Sequence, residues 1–172
     1  SYTEQSWTKH YLIRKNRHRW VIKNPIDITP FQPKSIVDNQ QITIGWVGRL
    51  SSEKRPELFG EFAKNNPEFR YEMWGDGYLH DIIHKEYGHV VEMKGYCNTA
   101  NTIYKNIHIL LISSLFENCP MVILEAKMRG IPIVAADVGG IHEILTSQEG
   151  RLLKYFSIPG VRKAIDEVRE HY

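Results

Sequence analysis

From Gln41 onward, short apolar segments alternate with segments of helical periodicity, and this alternation narrows the folds open to the chain. Strands are predicted over 42–47, 70–74, 90–93, 107–112, 132–136 and, briefly, 151–153. Helices are predicted over 56–65, 78–87, 99–105, 120–129, 141–146 and 159–171. The segments IHILLIS and IPIVAA are continuously apolar, as strands of a parallel sheet covered on both faces are. The sequence therefore predicts a doubly wound, mainly parallel α/β sheet with helices on both faces.

The composition excludes several other classes of protein. A chain of 172 residues fits one domain with a short extension, and 42% hydrophobic with 24% charged residues is typical of a globular protein. The sequence contains no apolar run long enough for a membrane helix, and its first residues do not resemble a signal peptide. Two cysteines provide no disulfide framework. We therefore expect a cytoplasmic protein.

The first 40 residues differ from the rest of the chain. Residues 1–23 contain six Lys or Arg and one acidic residue, and three prolines follow within 25–33. Proline disfavours helix at and before its position, so this stretch is predicted to be an extended linker. We place the α/β domain at residues 41–172 and assign residues 1–40 to a preceding unit and its linker. The basic segment suggests contact with an anionic membrane surface, whereas no nucleic-acid motif accompanies it and no nucleic-acid partner is expected.

The loop after the first predicted strand carries two cations. Arg49 and Lys54 precede a helix that opens at Pro56. Ligands of such sheets bind outside the carboxyl ends of the strands, near helix N-termini. The guanidinium fork of an arginine binds phosphate through two hydrogen bonds, and a lysine adds a point charge. The loop is either a diphosphate site or an ordinary solvated loop.

The loop after the second strand contains half of a dinucleotide fingerprint. Gly75 and Gly77 precede a helix, but His80 stands where the third glycine would be, and Glu92 is the candidate ribose acid. A tight turn without a ligand is the alternative. His80 and His84 have the spacing of a zinc motif, but the acid between them is an aspartate, so no zinc site is expected.

The loop after the fourth strand and the helix that follows it carry two carboxylates, Glu117 and Glu125. These can accept hydrogen bonds from hydroxyls at two ends of one ligand. Glu125 lies among apolar residues of a helix predicted to start at Pro120, and so needs a partner. Backbone amides at the start of this helix are free to hold an anion. They belong to Asn118, Cys119, Met121 and Val122. The glycines of the next loop, Gly139 and Gly140, permit close approach of the backbone to a ligand.

The stretch SSLFENCPMVILEAKMRGIPIVAADVGGIHEIL resembles the signature of retaining GT-B glycosyltransferases of family 4, with Glu117 and Glu125 as the E-x(7)-E motif. The resemblance extends to GWVGRLSSEK, MWGDGYL and VVEMKGY, and NPIDITPFQP resembles the hinge between the two domains of that family. It covers about residues 20–172 and implies the Rossmann-like C-terminal half of a GT-B fold. Residues 1–40 would be the end of the N-terminal domain with the linker.

This resemblance implies a nucleoside-diphosphate sugar as donor and an acceptor, a sugar or a lipid-linked molecule, held by the absent N-terminal domain. Arg49 and Lys54 would bind the diphosphate and stabilise the leaving nucleotide. Glu117 would hold hydroxyls of the donor sugar, and Glu125 those of the ribose. Further donor-binding residues would be Gly48, Gly75, Tyr96, Asn118, Cys119, Met121 and Val122. Neither metal nor another cofactor is expected, because protein cations take the place of the metal.

The sequence departs from the family pattern in its loops. Arg55-Pro56 follows Lys54 where a glycine and a hydrophobe are common, Asn118-Cys119 replaces Gly-Phe, and His142 replaces a proline. None of these changes removes a charged site residue. We expect a donor-binding domain for polysaccharide or glycolipid synthesis, in contact with the inner face of the membrane, that binds donor weakly and transfers no sugar alone. The alternatives are a non-catalytic nucleotide-binding module and a dinucleotide-dependent oxidoreductase domain.

Overall fold

The computed structural model describes residues 41–171, which form one six-stranded sheet. The strands are β1 Thr43–Val47, β2 Arg70–Trp74, β3 Glu92–Gly95, β4 Ile109–Ile112, β5 Ile133–Ala136 and β6 Gly150–Leu153. All pairs are parallel, in the order β3-β2-β1-β4-β5-β6. The prediction of a doubly wound parallel sheet is confirmed. Chain order reverses between β1 and β4, which is where ligands of such sheets bind.

In the described part of the chain, six helices connect and flank the strands. They are α1 Pro56–Asn65, α2 His80–Tyr87, α3 Ala100–Ile103, α4 Met121–Lys127, α5 Ile141–Ile144 and α6 Ile158–Arg169. Within the described residues, each helix is too short or too polar to cross a bilayer. The unit predicted for residues 1–40 lies outside the described part of the chain.

The core has two parts, one on each face of the sheet. On one face, Phe59 and Phe62 of α1 pack with Tyr71 and Met73 of β2, together with residues of α2 and α6. The other part contains Tyr104 and residues of α3, α4 and α5. Successive residues of β4 contribute to opposite faces, and each of them is buried. This two-sided burial explains why the central strands are continuously apolar.

The prediction that Pro120 is the first helical residue is wrong. Its ψ of 120° is extended, so Pro120 caps the helix and α4 begins at Met121. Strand β4 also begins two residues later than predicted. There the backbone N–H of Thr43 donates to the Nδ1 atom of His108, 3.1 Å away, so a side chain takes the place of a ladder carbonyl. Both elements therefore begin later than the sequence pattern predicts.

Glycines allow the loops after β1, β2 and β3 to pack in direct contact. Gly75 has φ of +135°, and a Cβ atom there would lie 1.8 Å from the carbonyl oxygen of Gly48. The backbone N–H of Gly75 donates to the carbonyl of Gly95 at 2.9 Å. A side chain at position 75 would therefore separate loops that the hydrogen bonds hold together.

The substitution Gly75→Ala is expected to destabilise the protein more than Gly95→Ala. Both glycines have positive φ, but the space around a Cβ atom at Gly95 is open to 4 Å. Gly95→Ala therefore measures backbone strain alone, about 1 kcal/mol. Gly75→Ala adds a clash with backbone and should cost about 3 kcal/mol or more. Urea unfolding of both variants measures the difference, and equal losses would contradict the packing described here.

Candidate functional site

The loops after β1 and β4 are joined at the carboxyl edge of the sheet. The Ser113 hydroxyl, at the end of β4, lies 2.8 Å from the carbonyl oxygens of both Lys54 and Arg55. The backbone N–H of Leu115 donates to the carbonyl of Glu53 at 2.8 Å. Sequence reasoning missed Ser113, because a serine after a strand gives no sign of which loop it binds. These bonds fix the cation-bearing loop relative to the carboxylate-bearing loop.

Lys54 and Glu117 form an ion pair across these two loops. The Lys54 ammonium lies 2.5 Å from Glu117 Oε1, and the Ser114 hydroxyl donates to the same oxygen at 2.8 Å. Glu117 is 7% exposed and the Lys54 side chain is 26% exposed. The resemblance assigned the two side chains to different parts of a ligand. The structure brings them into direct contact, so each charge is paired with the other.

The glycines after β5 contact protein backbone. Gly139 has φ of +57°, and a Cβ atom there would lie 1.8 Å from the carbonyl oxygen of Glu117. That carbonyl accepts a hydrogen bond from the N–H of Gly140 at 2.8 Å. These contacts explain why both residues are glycines, and the expectation that they also allow approach of a ligand stays a prediction. The glycines are needed because the loop after β5 packs directly on the loop that carries Glu117.

The partner required by Glu125 is Tyr104. The Tyr104 hydroxyl, fully buried at 0% exposure, donates to Glu125 Oε2 at 2.9 Å. Burial, with the charge of Glu125, raises the pKa of Tyr104 well above its ordinary value, so the phenol stays protonated and donates. Arg129 donates to the backbone carbonyl of Glu125 at 2.9 Å. The sequence analysis predicted the need for a partner but not its identity, because the two residues lie on different helical segments.

Two cavities at the carboxyl edge share Val47 and Gly48 as walls. The larger, of about 250 Å³, is lined by Val47, Gly48, Arg49, Trp74, Gly75, Asp76, Tyr96, Cys97 and Ile103. The smaller, of about 90 Å³, is lined by Trp46, Val47, Gly48, Lys54, Leu111, Ile112, Ser114, Glu117, Pro120, Met121 and Val122. Most of the predicted site residues are thus brought together around Gly48.

Three predicted residues, Asn118, Cys119 and Glu125, lie outside the walls of both cavities. Glu125 is half-buried on α4, one turn after Val122. A wider opening of about 610 Å³ lies toward the start of the sheet, around residues such as Thr43 and Arg70. Its lining includes Glu92, the acid of the dinucleotide alternative, but none of the residues predicted to bind the sugar donor, so its size does not make it the candidate site.

Two residues considered for a dinucleotide site, Gly77 and Glu92, have other contacts in the structure. A Cβ atom at Gly77 would lie 2.4 Å from the carbonyl of Leu50, so Gly77 is required by loop packing. Glu92 is exposed and pairs with Lys94 at 2.5 Å. Residues 41–171 contain no group of three or more His, Cys, Asp or Glu side chains placed to bind a metal ion. The geometry at Gly77 supports the tight-turn alternative.

Replacing one partner of the Lys54–Glu117 pair is expected to lower the free energy of unfolding more than replacing both partners. Lys54→Met leaves a mostly buried carboxylate without its cation and should lose about 1–2 kcal/mol of stability. The double variant Lys54→Met/Glu117→Gln removes both charges and should recover part of that loss. Urea unfolding of the two single variants and the double variant gives the coupling energy. If the losses of the two single variants simply add in the double variant, the pair contributes nothing to stability.

Comparisons with known proteins agree with the Rossmann-like fold and show the family to which the chain belongs. A family model described as Glycosyl transferases group 1 matches residues 27–171. The O-antigen biosynthesis glycosyltransferase WbnH of Escherichia coli is 30% identical over 132 residues, which cover 72% of this chain and 38% of WbnH. An E. coli UDP-Gal:alpha-D-GlcNAc-diphosphoundecaprenol alpha-1,3-galactosyltransferase is 27% identical over 173 residues, covering 87% of this chain and 45% of the enzyme.

Solved structures show the same fold. The apo lipopolysaccharide outer core galactosyltransferase WaaB superposes with a TM-score of 0.74 at 23% identity, covering 88% of this chain and 46% of WaaB. A TarM variant of S. aureus in complex with Fondaparinux, alpha-GlcNAc-glycerol and UDP superposes with a TM-score of 0.78 at 21% identity, covering 96% and 35%. The chain therefore belongs to the group 1 glycosyl transferase family. It spans less than half the length of these four relatives.

Proposed function

We propose that this chain is the donor-binding domain of a retaining glycosyltransferase of family 4, which transfers a sugar from a nucleoside-diphosphate sugar to an acceptor. The observation that supports this most is the contact of Lys54 with Glu117 at the switch point of the sheet. It places a cation suited to phosphate beside a carboxylate suited to sugar hydroxyls. A donor has these two groups next to each other, at the bond that breaks.

The cations would bind the donor diphosphate. Arg49 lines the larger cavity and Lys54 the smaller, with Gly48 in the wall of both. A diphosphate extending from one cavity to the other meets a guanidinium and then an ammonium. Both charges would stabilise the negative charge that develops on the leaving nucleotide. To reach phosphate, Lys54 would exchange its bond to Glu117 for one to the ligand.

The two carboxylates would bind hydroxyls on either side of the diphosphate. Glu117, released by Lys54, would accept hydrogen bonds from the donor sugar, held in place by the Ser114 hydroxyl. Glu125 would accept them from the ribose. Tyr96, which is 77% exposed, would border the base. The amides of Asn118, Cys119, Met121 and Val122 would complete the phosphate cradle.

The donor would require no metal and the protein no other cofactor, because Arg49 and Lys54 supply the positive charge. UDP is the nucleotide that we propose first. One E. coli relative is named as a UDP-Gal transferase, and the TarM structure contains UDP. Those names belong to the relatives, and the base preference of this chain is set by its own loop around Tyr96.

We further propose that a preceding domain holds the acceptor and that the product is a polysaccharide or glycolipid. WbnH is named for O-antigen biosynthesis, and the galactosyltransferase of E. coli for a diphosphoundecaprenol substrate. An acceptor on a lipid carrier would bring the enzyme to the inner, cytoplasmic face of the membrane. Residues 1–40 would belong to the end of that domain and the linker.

Calorimetric titration of the chain with UDP, GDP, ADP and NAD tests the donor site. One nucleoside diphosphate should bind weakly but saturably, and Arg49→Ala and Glu125→Ala should each weaken binding about tenfold or more. Arg70→Ala and Glu92→Ala are matched controls, because both side chains are exposed and away from the two cavities. They should leave binding unchanged. Binding of NAD alone, lost in Glu92→Ala, would overturn the proposal in favour of a dinucleotide site.

The longer protein that carries this domain should transfer sugar, whereas the chain alone should not, because the acceptor side is missing. Product analysis by nuclear magnetic resonance should show the anomeric configuration of the donor retained. Lys54→Ala in the longer protein should reduce kcat about a hundredfold or more, through lost charge stabilisation. A longer protein that binds nucleotide without transfer would be a non-catalytic module, and inverted product would exclude the retaining mechanism.

A further inference from the structure

We infer that Tyr104 is a positioning residue that fixes the Glu125 carboxylate for the ribose hydroxyls and thereby lets the site distinguish ribonucleotides from deoxynucleotides. This inference rests on the proposed function, because it assigns the ribose to Glu125. Tyr104 itself touches no part of the donor in this arrangement and acts through the carboxylate.

Among residues 41–171, the side chain that accepts a hydrogen bond from the Tyr104 hydroxyl is that of Glu125. The hydroxyl lies 2.9 Å from Glu125 Oε2 and, more distantly, 3.3 Å from the backbone carbonyl of Val122. The ring is fully buried in the core beneath α4, so the hydroxyl cannot swing out to water. A glutamate on a helix surface samples several rotamers. Here a hydrogen bond from a fixed donor selects the rotamer in which Oε2 faces the phenol.

Arg129 packs on the ring of Tyr104 and restrains it. Its guanidinium lies over the Tyr104 ring, 5.2 Å from the centroid, and donates to Asn101 Oδ1 at 2.7 Å. It also donates to the backbone carbonyl of Glu125, one turn earlier on α4. Arg129 thus ties α3 to α4 and holds both partners of the hydrogen bond. Its positive charge further offsets the half-buried carboxylate.

The position of the pair relative to the cavities suits a ribose. Ile103, next to Tyr104 in the chain, lines the larger cavity, and Val122, one turn before Glu125, lines the smaller. The pair therefore lies beside the region that links base to diphosphate in the proposed complex. An ionised carboxylate only accepts hydrogen bonds, so a ligand must bring hydroxyl donors to it. Because Oε2 accepts the hydrogen bond from Tyr104, the carboxylate cannot rotate freely, and Oε1 has one orientation in which to accept a hydrogen bond from the ribose.

The test compares affinities of the chain for UDP, GDP and ADP with those for their 2′,3′-dideoxy analogues. For the nucleotide that it binds, the wild-type chain should have about tenfold or more higher affinity for the ribonucleotide than for the dideoxy analogue. Tyr104→Phe removes only the hydroxyl and should reduce this ratio at least about fivefold.

Tyr71→Phe is the matched control, because it removes another buried hydroxyl, which donates to the carbonyl of Asn66 at 2.7 Å. It should lower stability but leave the ratio unchanged. In a Glu125→Ala background, Tyr104→Phe should have no further effect on the ratio.

The outcomes separate this inference from the proposed function. A folded Tyr104→Phe variant that keeps the full ratio would overturn the inference and leave the donor site intact. Equal wild-type affinity for both nucleotides would also overturn it. Absence of saturable binding by any nucleotide would overturn the proposed function and the inference with it. If Tyr104→Phe does not fold, the wild-type chain with ¹³Cζ-labelled tyrosine decides: the Tyr104 resonance should shift with the ribonucleotide and not with the dideoxy analogue, and equal shifts would count against the inference.

Discussion

The contact between the Lys54 ammonium and the Glu117 carboxylate is the interaction around which the site is built. It joins the loops after β1 and β4, the two strands between which chain order reverses. Ser113 and Ser114, at the end of β4, secure the two sides, one binding the backbone at Lys54 and the other the carboxylate. A mostly buried charge is stable only while it is paired. The pairing therefore stabilises both charges at the carboxyl edge of the sheet.

The fold was largely predictable from the sequence. In a doubly wound sheet, burial on both faces makes the strands continuously apolar, and the loops that carry chemistry follow them directly. Arg49, Lys54 and Glu117 could be proposed because they lie in such loops. Element ends were less predictable. Pro120, for instance, fits either side of a helix start, and only its ψ decides.

Contacts between distant segments could not be read from the sequence. Glu125 needed a partner, but the choice of Tyr104 depends on how the end of α3 packs beside α4. The same is true of the contact between Gly139 and the backbone of Glu117, which the sequence did not predict. A glycine before a helix looks the same whether a phosphate or a carbonyl oxygen approaches it. Tertiary packing makes that distinction, and a single sequence contains no direct record of it.

Gly48 forms part of the wall of both cavities and contributes only backbone there. A Cβ atom at this position would lie 3.3 Å from the Trp46 ring, which is tighter than ordinary van der Waals contact. A methyl group on this shared wall would therefore press on the Trp46 ring. In the proposed complex, where the diphosphate extends from one cavity to the other, the ligand would pass the backbone of Gly48, and bulk added there would obstruct it whatever the charges around it.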